Sequence, residues 1–264
     1  MRISGHAANE HPENHGSKSL APCTTTRRAL WTFALSGLCA ILLFPSAAGA
    51  SSKDTVPDWV HAAATQALPI YPLDTKAVVL LDDVTYTVTP DGRAVEHVRR
   101  VVKILRPQGR KESVVRVEFD KDTKILSMNV WSIGPDGHEY AMKDKEMSDE
   151  AYGGGILFDD NKYRVAHAPA ADPGAVIAYE YEQRTRPYVT EETWLFQDEI
   201  PHLHESFTLQ LPAGYTYGTT WAHHPATQPA DTENHGWRWE MKDVPAIDLE
   251  RVPMPPPIGR SQAA

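Results

Sequence analysis

Histidine and carboxylate side chains are where chemistry would have to be sought in this sequence, because its two cysteines, Cys23 and Cys39, both fall within the first 50 residues. His202 and His204 are two apart, so on a strand they share one face. His223, His224 and His235 could approach them across hairpins. Imidazoles so spaced can ligate zinc or copper. The same histidines also fit strand ends and a polar loop, where histidine is simply tolerated. No third ligand of fixed geometry is legible, so no metal site is assigned. Acidic pairs recur at Asp82-Asp83, Asp159-Asp160, Glu191-Glu192 and Asp198-Glu199. Glycoside hydrolysis needs two carboxyl groups about 5 to 9 Å apart across a cleft, whereas acids at strand ends more often form a solvated rim. The nucleophile elbow Gly-x-Ser-x-Gly and the zinc motif His-Glu-x-x-His do not occur. Gly153-Gly154-Gly155 lacks the spacing and the lysine of a phosphate loop and reads as a loop. No catalytic, cofactor-binding or metal-ligating residue is therefore assigned, and no cofactor is expected.

The tryptophans are the remaining signal. Trp131, Trp194, Trp221, Trp237 and Trp239 fall on expected strands or at their ends, and Trp237 and Trp239 share a face. Exposed, such rings stack on sugars; buried, they are core, and burial is the default.

The elements that would carry these groups are strands. Val84, Tyr86 and Val88 alternate with Thr85, Thr87 and Thr89, and Pro90-Asp91-Gly92 forms a hairpin turn. The row Val98, Arg100, Val102, Ile104 continues the period of two. Arg106-Pro107-Gln108-Gly109 turns the chain, and Val115, Val117 and Phe119 make a third strand. Ile125 to Ile133 make a fourth, closed by Gly134-Pro135-Asp136-Gly137. Short turns leave no room for helical crossovers, so these four strands are expected to form a meander. After a charged and glycine-rich middle, strands are expected at 162–166, 176–183, 192–197, 204–211, 215–221 and 236–241. The Pro173 to Gly214 stretch concentrates aromatic residues and turn punctuation and reads as the centre of the core. Ahead of the strands, Trp59, Val60, Ala63, Ala64, Ala67 and Leu68 lie along one face of a short helix after Pro57, stopped by Pro69 and Pro72. The fold class is all-β, a sandwich of antiparallel strands with a short N-terminal helix that packs as a lid through Trp59.

Residues 1–50 read as an export signal. Arg27-Arg28 precede an apolar run from Ala29 to Phe44, followed by Ala48-Gly49-Ala50, a small-x-small cleavage site. The run falls short of the roughly 20 residues of a membrane span. Thr26-Arg27-Arg28 also fits a twin-arginine signal, so the route is open, but both routes lead out of the cytoplasm. The expected organisation is leader 1–50, helix and connector 51–76, sandwich 77–250 and proline-rich tail 251–264. Four basic and two acidic residues leave with the leader, taking the formal charge from −9 to −11. An acidic exported domain without a basic cluster is a poor nucleic-acid binder. With both cysteines removed it has no disulfide, thiolate ligand or cysteine nucleophile.

One combination of residues resembles a known family. It runs from Trp59-Val60 through Pro173-Gly174-Ala175-Val176-Ile177, Tyr179-Glu180-Tyr181, Trp194 to Gln197, Pro201 and Phe207-Thr208-Leu209-Gln210-Leu211-Pro212-Ala213-Gly214. Trp239, Val244-Pro245-Ala246-Ile247, Glu250 and Met254-Pro255 close it. This resembles the bacterial domain of unknown function 3857, which typically precedes a transglutaminase-like domain in exported proteins. The resemblance implies an immunoglobulin-like sandwich. It carries no active-site residue onto this chain, which stops at Ala264 without room for a transglutaminase-like core. The expected role is a periplasmic or secreted, non-catalytic accessory domain. It would bind a separate transglutaminase-like or peptidase protein or a cell-envelope polymer, with no nucleic acid and no membrane span after cleavage. The alternative is a hydrolase using surface carboxylates or a histidine-bound metal.

Overall fold

A computed structural model of the chain describes residues 1–7, 55–151, 160–186, 191–232 and 236–247. By its internal contacts the chain divides into Met1–Ala8 with Ser51–Ala264, and Asn9–Ala50. The second unit, with most of the expected leader, lies outside the described residues, as do Gly153-Gly154-Gly155, Asp159, His235 and the tail from residue 248.

In chain order the strands and helix are β1 (Arg2–Ala7), α1 (Asp58–Ala64), β2 (Ala77–Val88), β3 (Ala94–Ile104), β4 (Val114–Phe119), β5 (Lys124–Ile133), β6 (Glu139–Ala141), β7 (Ser148–Ala151), β8 (Lys162–His167), β9 (Val176–Thr185), β10 (Glu191–Thr193), β11 (His202–Gln210), β12 (Tyr215–Thr220), β13 (Ala230–Thr232) and β14 (Gly236–Val244). Eight strands form one large sheet in the order β13-β14-β11-β2-β3-β9-β5-β6. Two three-stranded sheets, β10-β1-β12 and β4-β8-β7, complete the described β-structure. The fold is all-β and sandwich-like.

The inner face of the large sheet carries alternate apolar residues because strand side chains alternate between faces. Val84, Val98, Phe207, Leu209 and Trp239 pack there with Met1 and Phe196. Farther along, Ile104, Met128, Val130 and Ile177 meet Val115 and Val117 of β4 and Ala166 of β8. The opposite face buries Val78, Leu80, Val101 and Ala178 under Val60 and Ala63 of α1. Complete burial of a residue such as Val60 contributes about 1.5 to 3 kcal/mol. Trp59 acts as the expected anchor of that lid. It stands edge-on to Trp131 at 6.0 Å, and the Arg99 guanidinium lies 5.5 Å from its ring centre.

Four details differ from the sequence reading. The first strands are not a four-stranded meander: β3 pairs with β9 rather than β4, and β4 pairs with β8 in the other layer. Val115 and Val117 face the large sheet from across the core, which a place beside β3 would not allow. The expected turn before β4 is a 3-10 helix, Pro107–Ser113. Gly109 is required there, since a Cβ would stand 2.3 Å from the Lys76 carbonyl oxygen. Nor are all neighbours antiparallel, because β11 runs parallel to β2. Finally, α1 stops at Ala64, well before Pro69. The Thr65 hydroxyl donates to the carbonyls of His61 and Ala62, competing with continuation of the helix.

Candidate functional site

Two neighbouring places concentrate polar and aromatic chemistry. The first is a row of charges on the inner face. Strand register sets Glu205 beside Asp82, Asp82 beside Arg100, and Arg100 beside Tyr179 across β11, β2, β3 and β9. An apolar row, Val79, Val102 and Ile177, flanks it on one side, and Phe207, Val84, Val98 and Tyr181 on the other. The segment leading into β11 folds over the row and adds Asp198 and His202. Arg100 donates from Nη1 to Asp82 Oδ2 at 2.8 Å and from Nη2 to Asp198 Oδ2 at 2.6 Å. His202 Nδ1 is hydrogen-bonded to Glu205 Oε2. Its Nε2 stands 3.3 Å from Asp198 Oδ2, too oblique for a hydrogen bond, so that contact is ionic. The other oxygen of Glu205 accepts the indole N–H of Trp194 at 3.1 Å.

Buried charges are tolerated only when paired and hydrogen-bonded, and this cluster meets that condition. Glu205 is 0% exposed, and both its oxygens are satisfied. Burial pushes the Asp82 carboxyl up to about 6, with Arg100 pulling the other way. Burial acts to lower the His202 imidazole, but the carboxylates of Asp198 and Glu205 outweigh it and raise the ring to about 9. Burial also acts to raise Asp198, yet His202 and Arg100 hold it well below the usual carboxylate range.

The second place is a cleft of about 610 Å³ alongside the first. Met1, Trp194, Phe196, Trp221, His223 and His224 are among its walls. Phe196 stacks on Trp221 at 5.7 Å with the planes 7° apart, and His224 leans on Trp221 at 5.7 Å. Trp221 Nε1 is buried with no acceptor among the described residues. At the mouth, Leu195 is 73% exposed. Two wall residues, His223 and Asp243, have left-handed backbone at φ 61° and 52°, a conformation that costs non-glycine residues energy and needs support from its surroundings. Trp194 belongs to both places: its ring stacks on Phe207 at 5.1 Å and its N–H enters the charge row.

The candidate residues scatter. His202 and His204 do not share a face. His202 is buried against Glu205, while His204 lines a shallow depression with Gln66, Leu81 and Lys242. His223 and His224 face the cleft. Among the described residues no group of three or more His, Cys, Asp or Glu side chains could hold a metal ion. Asp82 is not on a solvated rim. It is buried in the charge row, while its neighbour Asp83 accepts from Ser206 and Arg238. Glu199 pairs with Lys111 at 3.0 Å. Trp237 and Trp239 both pack into the core through Tyr217, at 4.5 and 5.6 Å. Arg100 and Glu205 were not singled out in the sequence. The available signal was Arg100 standing in an otherwise apolar row of period two.

The comparisons with known proteins bear on this architecture. The family described as Domain of Unknown Function with solved-structure structure (DUF3857) matches residues 90–248. The chain belongs to the DUF3857 family. That DUF3857 span runs from the β2–β3 turn to just beyond β14; it takes in Arg100, Trp194, His202 and Glu205 but neither Asp82 nor Met1. No curated protein matches the chain. Among solved structures, a candidate protease of Parabacteroides distasonis ATCC 8503 is 14% identical with a TM-score of 0.52, over 67% of this chain and 37% of that one. The likeness is one of fold, and this chain spans little more than a third of that protein. Native leukotriene A4 hydrolase of Saccharomyces cerevisiae is 10% identical with a TM-score of 0.33, over 72% of this chain and 32% of that one. The CBM3a-L domain with flanking linkers from the Clostridium thermocellum scaffoldin cipA is also 10% identical, with a TM-score of 0.25 over 49% and 78%. Neither of these two carries weight here.

Proposed function

We propose that this DUF3857 chain is an exported, non-catalytic binding domain whose working surface is the aromatic cleft, and that it positions a separate protein of the transglutaminase-like or peptidase kind. The observation that carries the reading is Leu195, a large apolar side chain 73% exposed at the mouth of an aromatic-walled cleft. Exposed apolar surface beside a concave aromatic wall is the usual mark of a docking site. The charge row favours the same reading from the other side. Both nitrogens of His202 already face carboxylates, leaving neither free to take a proton from a substrate. The export leader and the family resemblance add the compartment and the class of partner.

The hydrolase alternative draws on the same Asp198, His202 and Glu205, the densest carboxylate–imidazole cluster among the described residues. Two measurements separate the readings. Fluorescence of the cleft tryptophans is titrated with a purified transglutaminase-like or peptidase protein from the same envelope, against wild type and Leu195→Asp. A saturable change abolished by Leu195→Asp supports docking; saturation by an envelope polysaccharide instead shifts the partner to a polymer. Hydrolysis of model amide and glycoside substrates by wild type, lost in His202→Gln while the fold persists, would replace the binding reading with the enzyme.

A further inference from the structure

The strand β1 occupies a slot between two strands that have no other partner. β10 pairs antiparallel with Arg2–Ser4, and β12 pairs antiparallel with all of Arg2–Ala7. Among the described residues neither β10 nor β12 pairs with any other strand. Met1 anchors the head of β1. It is only 9% exposed, packed in the cluster of Phe196, Phe207 and Trp239. Its amino group donates to the Trp194 carbonyl at 2.6 Å, and the Trp194 N–H donates to the Met1 carbonyl at 2.7 Å. Met1 and Trp194 are also walls of the aromatic cleft, so the slot opens directly from it.

The walls of the slot are held independently of its occupant. Tyr217 of β12 packs on Trp237 and Trp239 of β14. Trp194, next after β10, is fixed by Phe207 and by its hydrogen bond to Glu205. If β1 departs, two facing edges of backbone N–H and C=O groups and an apolar hole at the Met1 position are left behind. Backbone groups so placed must find partners.

We infer that in the exported domain this slot receives an extended strand from a separate polypeptide, with residues 1–7 holding its place in the precursor. The inference rests on the proposed export reading, because removal of residues 1–50 takes β1 away. The occupant is defined by the one seated there now. It runs antiparallel to both β10 and β12, spans about six residues, carries no proline within the ladder, and begins with a long apolar side chain that fills the Met1 hole. Main-chain hydrogen bonds on two sides hold it, and the apolar anchor sets its register.

The test compares the full chain with the processed chain recovered from the envelope of an exporting cell. The probe is a synthetic peptide of the sequence Met1–Ala7, with intact folding of the processed chain verified by near-ultraviolet circular dichroism. The expected result is saturable binding to the processed chain, with slowed amide exchange at Thr216 to Thr220, and no binding to the full chain, whose slot is filled. A peptide carrying Ile3→Pro, which removes a ladder donor, should bind at least about tenfold more weakly, as should one carrying Met1→Asp. Recovered protein that still begins at Met1 overturns the export reading and this inference together. A cleaved, folded chain that ignores the peptide, or binds the Ile3→Pro form equally well, overturns the slot alone. A cleaved chain that elutes as a dimer with Thr216 to Thr220 already protected assigns the slot to a second copy and overturns the separate partner.

Discussion

The charge row and the aromatic cleft share a wall, yet they are built on opposite terms. In the row, Arg100, Asp82, Asp198, His202 and Glu205 pair their charges behind apolar neighbours, His202 Nε2 through an ionic contact alone. In the cleft, Leu195 faces outward, and His223 and Asp243 hold left-handed backbone. Titratable residues alone would direct attention to the row. Uncovered apolar surface and left-handed backbone direct it to the cleft. In this molecule the density of ionisable side chains marks what holds the layers together, and unmet contacts mark where something else can bind.

Substitutions can break that contrast, beginning with the row. Arg100→Met strands two carboxylates, Asp82 and Asp198, and should destabilise the domain by about 3 to 5 kcal/mol in urea unfolding. Stability should next depend on pH through His202. Its folded pKa, raised to about 9, lies above the ordinary 6.5. The proton it holds therefore stabilises the fold fully below pH 6.5, and that contribution is lost as pH rises through 9. The loss is on the order of 3 kcal/mol, and His202→Gln should flatten it. Asp82, raised from 3.8 to about 6, acts in the same direction at lower pH: its contribution is present below pH 3.8 and gone above 6. Asp198, held low, opposes this, contributing above pH 3.8 and losing that contribution on acidification. Trp194→Phe probes the shared wall. It keeps a ring on Phe207 but deprives Glu205 of a donor, and should cost about 1 to 3 kcal/mol in thermal unfolding. Leu195→Asp should move stability by no more than about 0.5 kcal/mol while abolishing partner binding in the fluorescence titration. A large stability loss there would mean that the cleft is part of the core.

What the sequence made legible follows from range. Pro90-Asp91-Gly92 and Gly134 to Gly137 mark turns because their residues must reach left-handed backbone, and Gly92 and Gly137 do so at φ 77° and 84°. The alternation in Val84, Tyr86 and Val88 reports a buried face directly. Partner choice is not local. Nothing in Val115 or Val117 says that β4 crosses to the second layer, and nothing in His204 says that it lies beside Gln66 and Leu81 rather than with His202. Asp82 and Arg100 belong to a hairpin and could have been paired from its turn; Glu205 joins them only through a strand more than a hundred residues downstream. Trp221 belongs to the tryptophan signal, for which burial is the default, and Leu195 carries no mark at all, since a sequence does not state which apolar residues remain uncovered.

The parallel contact between β2 and β11 also has a kinetic side. Its side-chain bridge from Thr87 to Gln210 spans 123 residues, and so long a closure is slow to form because the chain loses much entropy before any contact repays it. Until β11 arrives, the hairpin of β2 and β3 presents an open edge and a half-neutralised pair of charges. The domain should therefore complete its core in a late step, with the β11 and β14 amides gaining exchange protection after those of β3, β9 and β5. An unfolding event begun at β11 would expose the cleft first.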